Sequence, residues 1–314
     1  MLNDEGGYCR STGCSEHYLG FRSRRRVGVM TQNSTYPMGD LTVTRMGYGS
    51  MQLTGPGVMG PPPDRDGALA VLRALPGLGV THVDTAGFYG PHVTNELIRE
   101  ALHPYDDLTV VTKVGYDRDE TGGWVPANTP AQLRQQVEEN LKRLGVEALD
   151  VANLRLGDPM ANPSQGSIAE PFAALAQMQA EGKIRHLGLS VVNAAQVAEA
   201  QTLAPVVTVQ NLYNIAHRSA DDALIDSLAA QGISFVPFFP LGGFSPLQSS
   251  VLSGVAERLH TRPAAVALAW LLQRSPNILL IPGTSSVAHL RENVAAADLV
   301  LDEATAKELD AIGA

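Results

Sequence analysis

The chain is poor in cysteine, in long apolar runs and in basic residues. Its two cysteines are Cys9 and Cys14, and a C-x4-C pair without further cysteines is weak support for a zinc site or a disulfide. We therefore predict no metal. No apolar run reaches the roughly 18 residues of a membrane-spanning helix. Because 23 Lys and Arg stand against 32 Asp and Glu, the net charge is −9, which argues against nucleic acid as the main partner.

The first 35 residues differ in composition from the rest of the chain. Residues 1–35 are rich in Gly, Ser, Arg and Asn and show no periodic apolar pattern, which is typical of a disordered extension. The basic run Arg22–Arg26 has no apolar segment behind it, so we predict no secretory signal and expect a cytoplasmic enzyme. Residues 36–314 are predicted to form a single domain, since 44% hydrophobic residues suffice for a core of barrel size.

From residue 40 onward, short apolar segments alternate with amphipathic ones. Thr94 is predicted to cap a helix that ends near Leu102. A later helix is predicted over Pro246–His260, and two more, near 287–297 and 302–312, are predicted to end the chain. Strands are predicted near residues 46, 80, 108, 148, 186, 206, 234 and 278.

A single run of strand–helix units of this number predicts a (β/α)8 TIM barrel of the α/β class. The short extended segment Leu41–Thr44, after a turn at Gly39-Asp40, is predicted to lie at the bottom of the barrel. The alternative is a doubly wound open sheet, which requires a Gly-rich phosphate turn directly after its first strand. The segment Gly47-Tyr-Gly49-Ser-Met-Gln lacks the third glycine and no helix follows at once, so we prefer the barrel.

Polar or otherwise distinctive residues follow nearly every predicted strand, at the end of a barrel where chemistry takes place. Each alone has an ordinary role as a cap, a surface charge or a packing residue, but together they indicate an active site. A tyrosine beside a lysine makes a proton donor, because the ammonium lowers the phenol pKa from about 10, and an aspartate could balance the lysine. These strand-end residues are Asp84, Tyr89, Lys113, Arg155, Ser190, Gln210, Asn211, Phe238 and Gly283–Ser286.

From about residue 37 to its end, the chain resembles the aldo-keto reductase superfamily. The resemblance implies a (β/α)8 barrel that binds an extended nicotinamide cofactor without a Rossmann domain. The motifs that carry this likeness are Gly47–Met51, Asp84-Thr-Ala-Gly-Phe-Tyr89-Gly90, Thr112-Lys113, Gly188-Leu-Ser190, Val209–Asn214, Phe238–Leu241 and Ile281–Thr284 with Glu292-Asn293. A narrower likeness rests on Gln52–Gly57, Phe88–Asn95, Asn153-Leu-Arg155, Tyr213–Arg218 and Pro237–Phe244. By these the chain is most similar to the branch of bacterial pyridoxal reductases, which implies reduction of pyridoxal to pyridoxine with NADPH.

The resemblance also implies residue roles. Tyr89 would be the general acid, Lys113 would lower its pKa, and Asp84 would hold Lys113. Among the cofactor residues, Phe238 would stack on the nicotinamide while Ser190 and Gln210 would bind its carboxamide, and Thr284, Ser285, Glu292 and Asn293 would contact the adenosine end. The other implied cofactor positions are Gly49, Ser50, Met51, Leu241, Gly283 and His289.

Four features depart from the family pattern or are left open by it. Arg155 stands where many members have histidine, and we expect it to contact substrate, binding an oxygen beside the aldehyde; the alternative is an ion pair with Asp158 or Asp150. Val191 follows Ser190 where asparagine is usual, which removes one carboxamide contact. The usual cations for a 2′-phosphate are absent, so NADPH is expected but NADH is possible. Trp124 is either a substrate-contacting wall or surface packing.

Two other functions remain open from the sequence. One is a carbonyl reductase of broad specificity, and the other is a cofactor-sensing regulatory subunit without turnover. The presence of Asp84, Tyr89 and Lys113 together favours catalysis. The expected partner is a small-molecule aldehyde, and the expected state is a monomer or weak homo-oligomer.

Overall fold

The computed structural model describes residues 35–159, 161–218, 221–243 and 247–313. The extension predicted over residues 1–35 lies outside these ranges apart from Thr35, which begins the first strand. In the described ranges no helix is long and apolar enough to cross a membrane.

The described elements alternate between strands and helices along most of the chain. The strands are β1 (Thr35–Met38), β2 (Leu41–Thr44), β3 (Tyr48–Gly49), β4 (His82–Asp84), β5 (Thr109–Val114), β6 (Tyr116–Arg118), β7 (Trp124–Pro126), β8 (Leu149–Arg155), β9 (Ile184–Ser190), β10 (Val206–Gln210) and β11 (Ser234–Phe235). The helices are α1 (Arg65–Ala74), α2 (Val93–Leu102), α3 (Pro130–Leu144), α4 (Ala169–Ala180), α5 (Ala194–Gln201), α6 (Asp222–Ala230), α7 (Ser250–Arg258), α8 (Pro263–Arg274), α9 (Val287–Ala295) and α10 (Glu303–Asp310).

Seven strands form one parallel sheet in the order β11-β10-β9-β8-β5-β4-β3. The segment 278–280 closes it, because Leu280 bridges Met46 beside β3 and Ile278 bridges Phe235 in β11, both in parallel. The segment 278–280 thus occupies the eighth strand position and closes the sheet into a ring. The predicted (β/α)8 barrel is confirmed. Its helices lie between successive strands along the chain, as the barrel requires.

Side chains alternate between the two faces of each strand, so the barrel strands contribute to two hydrophobic clusters. In β8, Ala152 and Leu154 belong to the large cluster that includes helix residues, whereas Val151 belongs to a smaller cluster within the ring. Arg155 lies on the same face of β8 as Val151, because the two are four positions apart and every second side chain of a strand shares a face. Strand register then places Arg155 beside Ser190 of β9. The interior is thus apolar at its lower end and polar where the strands finish.

The hairpin β1–β2 covers the lower end of the barrel. Its Met38 and Val43 are fully buried and cluster with Val111, Val151 and Leu279. This confirms the predicted extended segment at the barrel bottom, with β1 as its antiparallel partner. The two predicted C-terminal helices are confirmed as α9 and α10.

Three local predictions were wrong or incomplete. Thr94 does not cap α2: His92 occupies that position with φ 62, while the Thr94 hydroxyl is buried against Thr85 Oγ1 at 2.8 Å. The helix predicted over Pro246–His260 is shorter, since α7 spans Ser250–Arg258; residues 244–246 lie outside the described part. The hairpin β6–β7 was not predicted at all.

Candidate active site

Three predicted catalytic side chains meet where β4 and β5 end. Lys113 Nζ lies 2.5 Å from Asp84 Oδ1 and 3.1 Å from Tyr89 Oη, and it also donates to the Thr85 carbonyl. The residues are only 3–7% exposed. Because the Tyr89 oxygen accepts a hydrogen bond from Lys113, its own O–H hydrogen remains available for another acceptor, as the predicted role of proton donor requires.

The loop that carries Tyr89 is anchored by a buried polar network behind it. Thr85 Oγ1 donates to Asn95 Oδ1, and Asn95 Nδ2 donates to Asn140 Oδ1, each at 2.8 Å. Thr112 Oγ1, next to Lys113 on β5, donates to the same Asn140 oxygen at 2.8 Å. A satisfied buried network of this kind specifies one geometry. It therefore fixes the β4 loop relative to β5, and with it the distance between Tyr89 and Lys113.

Burial has a larger effect than Lys113 on the pKa of Tyr89. Burial raises the pKa of Tyr89 above its ordinary value, and the neighbouring Lys113 and Arg155 offset this only in part. Lys113 thus lowers the pKa of Tyr89 as predicted, but burial has the larger effect and the net shift is upward. Burial alone would lower the pKa of Lys113, but the charge of Asp84 and the hydrogen bonds to Asp84 and Tyr89 outweigh it and the pKa is raised. Tyr89 is thus kept protonated and Lys113 is kept charged.

Arg155 projects into the same space from the end of β8. Its guanidinium carbon lies 5.2 Å from the centroid of the Tyr116 ring and 6.0 Å from that of Phe238. Nη1 donates to the Leu156 carbonyl and Nη2 to the backbone carbonyl of Asp158. The Asp150 carboxylate is engaged instead by the Val110 N–H and by Arg185. The alternative of an Arg155–Asp150 pair is therefore wrong.

An aromatic wall closes one side of the cavity. The Phe88 ring packs edge-to-face against Tyr89 and against Trp124, with centroids 5.3 Å apart in both cases. Trp124 lies on β7 opposite Arg118 of β6. The Arg118 guanidinium lies 4.2 Å from the Trp124 ring centroid and donates to the Gly57 carbonyl at 2.7 Å. Trp124 thus lines the cavity and is held from its outer side.

A cavity of about 560 Å³ joins these groups to the residues predicted for the cofactor. Ser190 Oγ and Gln210 Oε1 are buried and have no hydrogen-bond partner within the described chain, whereas Gln210 Nε2 donates to Asp84 at 2.9 Å. Unpaired buried polar atoms are costly, so both fit a ligand amide. The predicted residues that line the cavity are Gly49, Met51, Tyr89, Lys113, Trp124, Arg155, Ser190, Gln210, Phe238, Leu241 and Gly283.

Two glycines let the backbone close in tightly beside the cavity. A Cβ on Gly49 would lie 2.5 Å from the Ile281 carbonyl oxygen, and one on Gly283 would lie 2.7 Å from the Gly49 oxygen. Only glycine fits such contacts without a shift of the backbone. The two backbone segments therefore approach closely, and the edge of the cavity that they form has no side chain at these two positions, which fits an extended dinucleotide.

The remaining predicted cofactor residues do not line this cavity. Thr284 accepts from Tyr48 Oη through its carbonyl, and Glu292 forms an exposed ion pair with Arg262. Asp84 lies beneath the lining, hydrogen-bonded to two residues of it. The positions outside the lining whose cofactor role stays a prediction are Ser50, Thr284, Ser285, His289, Glu292 and Asn293.

Several lining residues were not predicted. Asn214 and His217 come from the loop after β10, and Phe239 follows Phe238. Asn214 Nδ2 donates to the Phe239 carbonyl at 3.1 Å, which ties these two loops together. The motif Val209–Asn214 was recognised, and its last residue was the available signal. Gln52 also lines the cavity, and its available signal was the motif Gln52–Gly57 that it begins.

Val191 keeps a backbone conformation that suits asparagine better. Its φ is 58, in the left-handed region that β-branched residues rarely adopt. Its N–H donates to the Gln210 carbonyl at 2.9 Å, and the side chain packs against Gly157. A valine side chain offers no hydrogen bond, so the predicted loss of a carboxamide contact at this position is consistent with the geometry.

Replacing Asp221 with asparagine is expected to stabilise the fold near neutral pH. Burial raises the pKa of Asp221 to about 6 from 3.8, although the Asn211 hydrogen bond and His217 oppose the shift. The folded chain therefore binds more protons than the unfolded chain between these values, and stability falls as pH rises through them. Asp221→Asn should gain about 1–3 kcal/mol at pH 7 and nothing below pH ~4, at ~1.4 kcal/mol per pKa unit. Urea unfolding at both pH values measures this, and an equal effect at both would contradict it.

Known proteins share this architecture over most of its length. The sequence profile of the Aldo/keto reductase family matches residues 45–314. Pyridoxine 4-dehydrogenase of Escherichia coli K12 is 60% identical over 283 residues, covering 89% of this chain and 98% of that protein. An uncharacterised oxidoreductase of Schizosaccharomyces pombe is 40% identical over 284 residues, 90% of this chain and 91% of that protein.

A solved structure gives the same answer at lower identity. The crystal structure of an aldo-keto reductase from Klebsiella pneumoniae in complex with NADPH superposes with a TM-score of 0.73 and 25% identity, covering 89% of this chain and 95% of the other. The match of profile, relatives and barrel leads to one assignment. This chain is a member of the aldo/keto reductase family of oxidoreductases.

Proposed function

We propose that this enzyme uses NADPH to reduce an aldehyde to a primary alcohol, and that its substrate is pyridoxal, which becomes pyridoxine. The observation that carries the proposal is the Tyr89 hydroxyl, held 3.1 Å from the Lys113 ammonium in a cavity with aromatic walls. The substrate follows from the 60% identity to a pyridoxine 4-dehydrogenase. The cytoplasmic location and the monomeric or weakly oligomeric state predicted from the sequence are part of the same proposal.

The chain's own residues supply the proton and stabilise the charge. When bound, NADPH supplies the hydride that reaches the carbonyl carbon. Tyr89 donates its hydroxyl proton to the carbonyl oxygen, so that hydride and proton together convert the aldehyde to the alcohol. Lys113 stabilises the phenolate that forms on Tyr89. Asp84 keeps Lys113 charged and in place, since a buried ammonium needs a counter-charge.

Two buried side-chain oxygens that have no hydrogen-bond partner among the described residues support the proposed cofactor site. Ser190 Oγ and Gln210 Oε1 would accept from the carboxamide N–H groups or, for the serine, donate to its oxygen. Phe238 presents an aromatic face beside them, and Gly49 with Gly283 provides the edge for the rest of the molecule. Titration of NADPH and NADH by protein fluorescence would give the two Kd values. A lower Kd for NADPH supports NADPH as the cofactor, and a lower Kd for NADH would show that NADH is the cofactor instead.

A panel assay tests the function directly. Loss of NADPH absorbance is followed with pyridoxal, benzaldehyde, a short aliphatic aldehyde and an aldose, and kcat/KM is compared. We expect pyridoxal to be the best substrate by at least about tenfold, the smallest margin that marks a dedicated site. Equal kcat/KM values across the panel would favour a broad carbonyl reductase, and tight NADPH binding without turnover would favour a regulatory subunit.

A further inference from the structure

The cavity has an uneven balance of charge. Among the described residues that line it, the only full charges are the cations Lys113 and Arg155, and no carboxylate is present. Asp84 compensates Lys113 from below at 2.5 Å. Arg155 directs its donors at two backbone carbonyls, which carry no net charge, and the Asp158 carboxylate, which does not line the cavity, also interacts with its charge. The charged groups that face the substrate end of the cavity are therefore positive, and an anionic group of the substrate would be attracted to them.

The surroundings of Arg155 also select for shape. Its guanidinium lies near the rings of Tyr116 and Phe238, and Phe88 and Trp124 form the wall around Tyr89. Aromatic faces and edges favour a flat aromatic ring over an aliphatic chain. Arginine is always charged, and its planar fork can engage two oxygens that lie side by side. A lysine at this position would present one point charge and no fork.

Arg155 and Tyr89 line the same cavity, and Lys113, which donates to Tyr89 Oη, lies on β5, the strand that pairs with the Arg155 strand β8. An oxygen bound by Arg155 and an oxygen protonated by Tyr89 would therefore be near neighbours on one molecule. In an aromatic aldehyde this describes a carbonyl oxygen with an ionised oxygen on the adjacent ring carbon. Pyridoxal has this pattern, with its 3-oxygen beside its 4-aldehyde.

We propose that Arg155 is a specificity-determining residue that binds an ionised ring oxygen adjacent to the aldehyde, so that the preferred substrates are flat aromatic aldehydes with such an oxyanion. This inference rests on the proposed aldehyde reduction and narrows its substrate class. One N–H of the fork binds the ring oxyanion and a second binds the carbonyl oxygen, which aligns that oxygen with the Tyr89 hydroxyl. The charge-assisted bond to the oxyanion adds affinity that a plain aldehyde lacks.

Two substrates that differ only at that oxygen provide the test. Pyridoxal is compared with its 3-O-methyl ether, which has a similar ring and aldehyde but no oxyanion, in the wild-type enzyme and in Arg155→Gln. The measured quantity is kcat/KM for pyridoxal divided by kcat/KM for the methyl ether. We expect this ratio to be roughly 10- to 100-fold lower in Arg155→Gln than in the wild type, the range for a hydrogen bond to a charged group. Arg155→Lys, which keeps the charge without the fork, should lie between the two. Arg185→Gln, at an exposed ion pair, is the matched control and should leave the ratio unchanged.

Further measurements separate oxyanion binding by Arg155 from other roles of this residue. Kd for NADPH and the melting temperature are measured for every variant. If Arg155→Gln lowers both substrates equally, the arginine acts on the carbonyl alone and the inference is wrong, while aldehyde reduction stands. If NADPH binding weakens enough to account for the loss, Arg155 serves the cofactor and the inference is also wrong. If the wild-type enzyme reduces neither compound, the proposed function itself fails.

Discussion

Replacing Tyr89 with phenylalanine is expected to lower kcat about 10²- to 10⁴-fold, the contribution of a positioned general acid. The change removes one oxygen, and the ring can keep its contacts with Phe88 and Trp124. Its partner Lys113 keeps the Asp84 carboxylate and the Thr85 carbonyl, so the fold should survive. Kd for NADPH should stay within about threefold of wild type, since Tyr89 is assigned to the proton and not to the cofactor.

Steady-state kinetics with pyridoxal and fluorescence titration with NADPH measure the two quantities. Phe88→Leu is the comparison variant, because it disturbs the same aromatic wall but leaves the proton donor intact; it should raise KM more than it lowers kcat. A Tyr89→Phe enzyme with near-normal kcat would show that another group protonates the carbonyl.

The same residue fixes the expected pH dependence of reduction. Tyr89 must be protonated to act as the acid, and burial raises its pKa. The rate of reduction should therefore remain constant as pH rises past the value at which free tyrosine titrates, and fall only above it. A fall at lower pH that disappears in Tyr89→Phe would mean that Lys113 and Arg155 outweigh burial in the working enzyme.

Much of the framework was predictable because it depends on local pattern. The alternation of apolar strands and amphipathic helices predicted the barrel, and the barrel predicts that strand ends converge. Asp84, Lys113 and Arg155 could be placed together on that ground alone. The structure confirms it, since Lys113 donates to Asp84 and Tyr89 and Arg155 lines the same cavity as Lys113. No knowledge of the side-chain packing was needed.

What could not be predicted depends on competition between distant groups. The pKa of Tyr89 follows from how completely the cavity walls exclude water, which no spacing reveals. The hairpin β6–β7 has strands of three residues each, too short for a periodic signal. It is stabilised by Arg118 reaching a carbonyl 61 positions away. The Thr94 prediction failed because a buried hydroxyl partner, Thr85, took the side chain that would otherwise cap the helix.

Removing Lys113 is expected to damage both the fold and the reaction. Lys113→Met leaves the Asp84 carboxylate buried with no cation, and its remaining polar partner is Gln210. Breaking a buried ion pair by removing one partner costs about 3–5 kcal/mol. The phenolate on Tyr89 also loses its stabilising charge, so kcat should fall at least about 10²-fold. Urea unfolding and steady-state kinetics measure the two losses.

A second substitution separates the two effects. In Lys113→Met with Asp84→Asn, both members of the buried ion pair are neutral, and the asparagine can still accept from Gln210. The double variant should regain most of the lost unfolding free energy, because replacing both partners of a buried pair is often close to neutral. Its kcat should stay as low as that of Lys113→Met, since the ammonium beside Tyr89 is still missing. Recovery of turnover along with stability would mean that Lys113 acts only by balancing Asp84, and that Tyr89 needs no neighbouring cation to give up its proton.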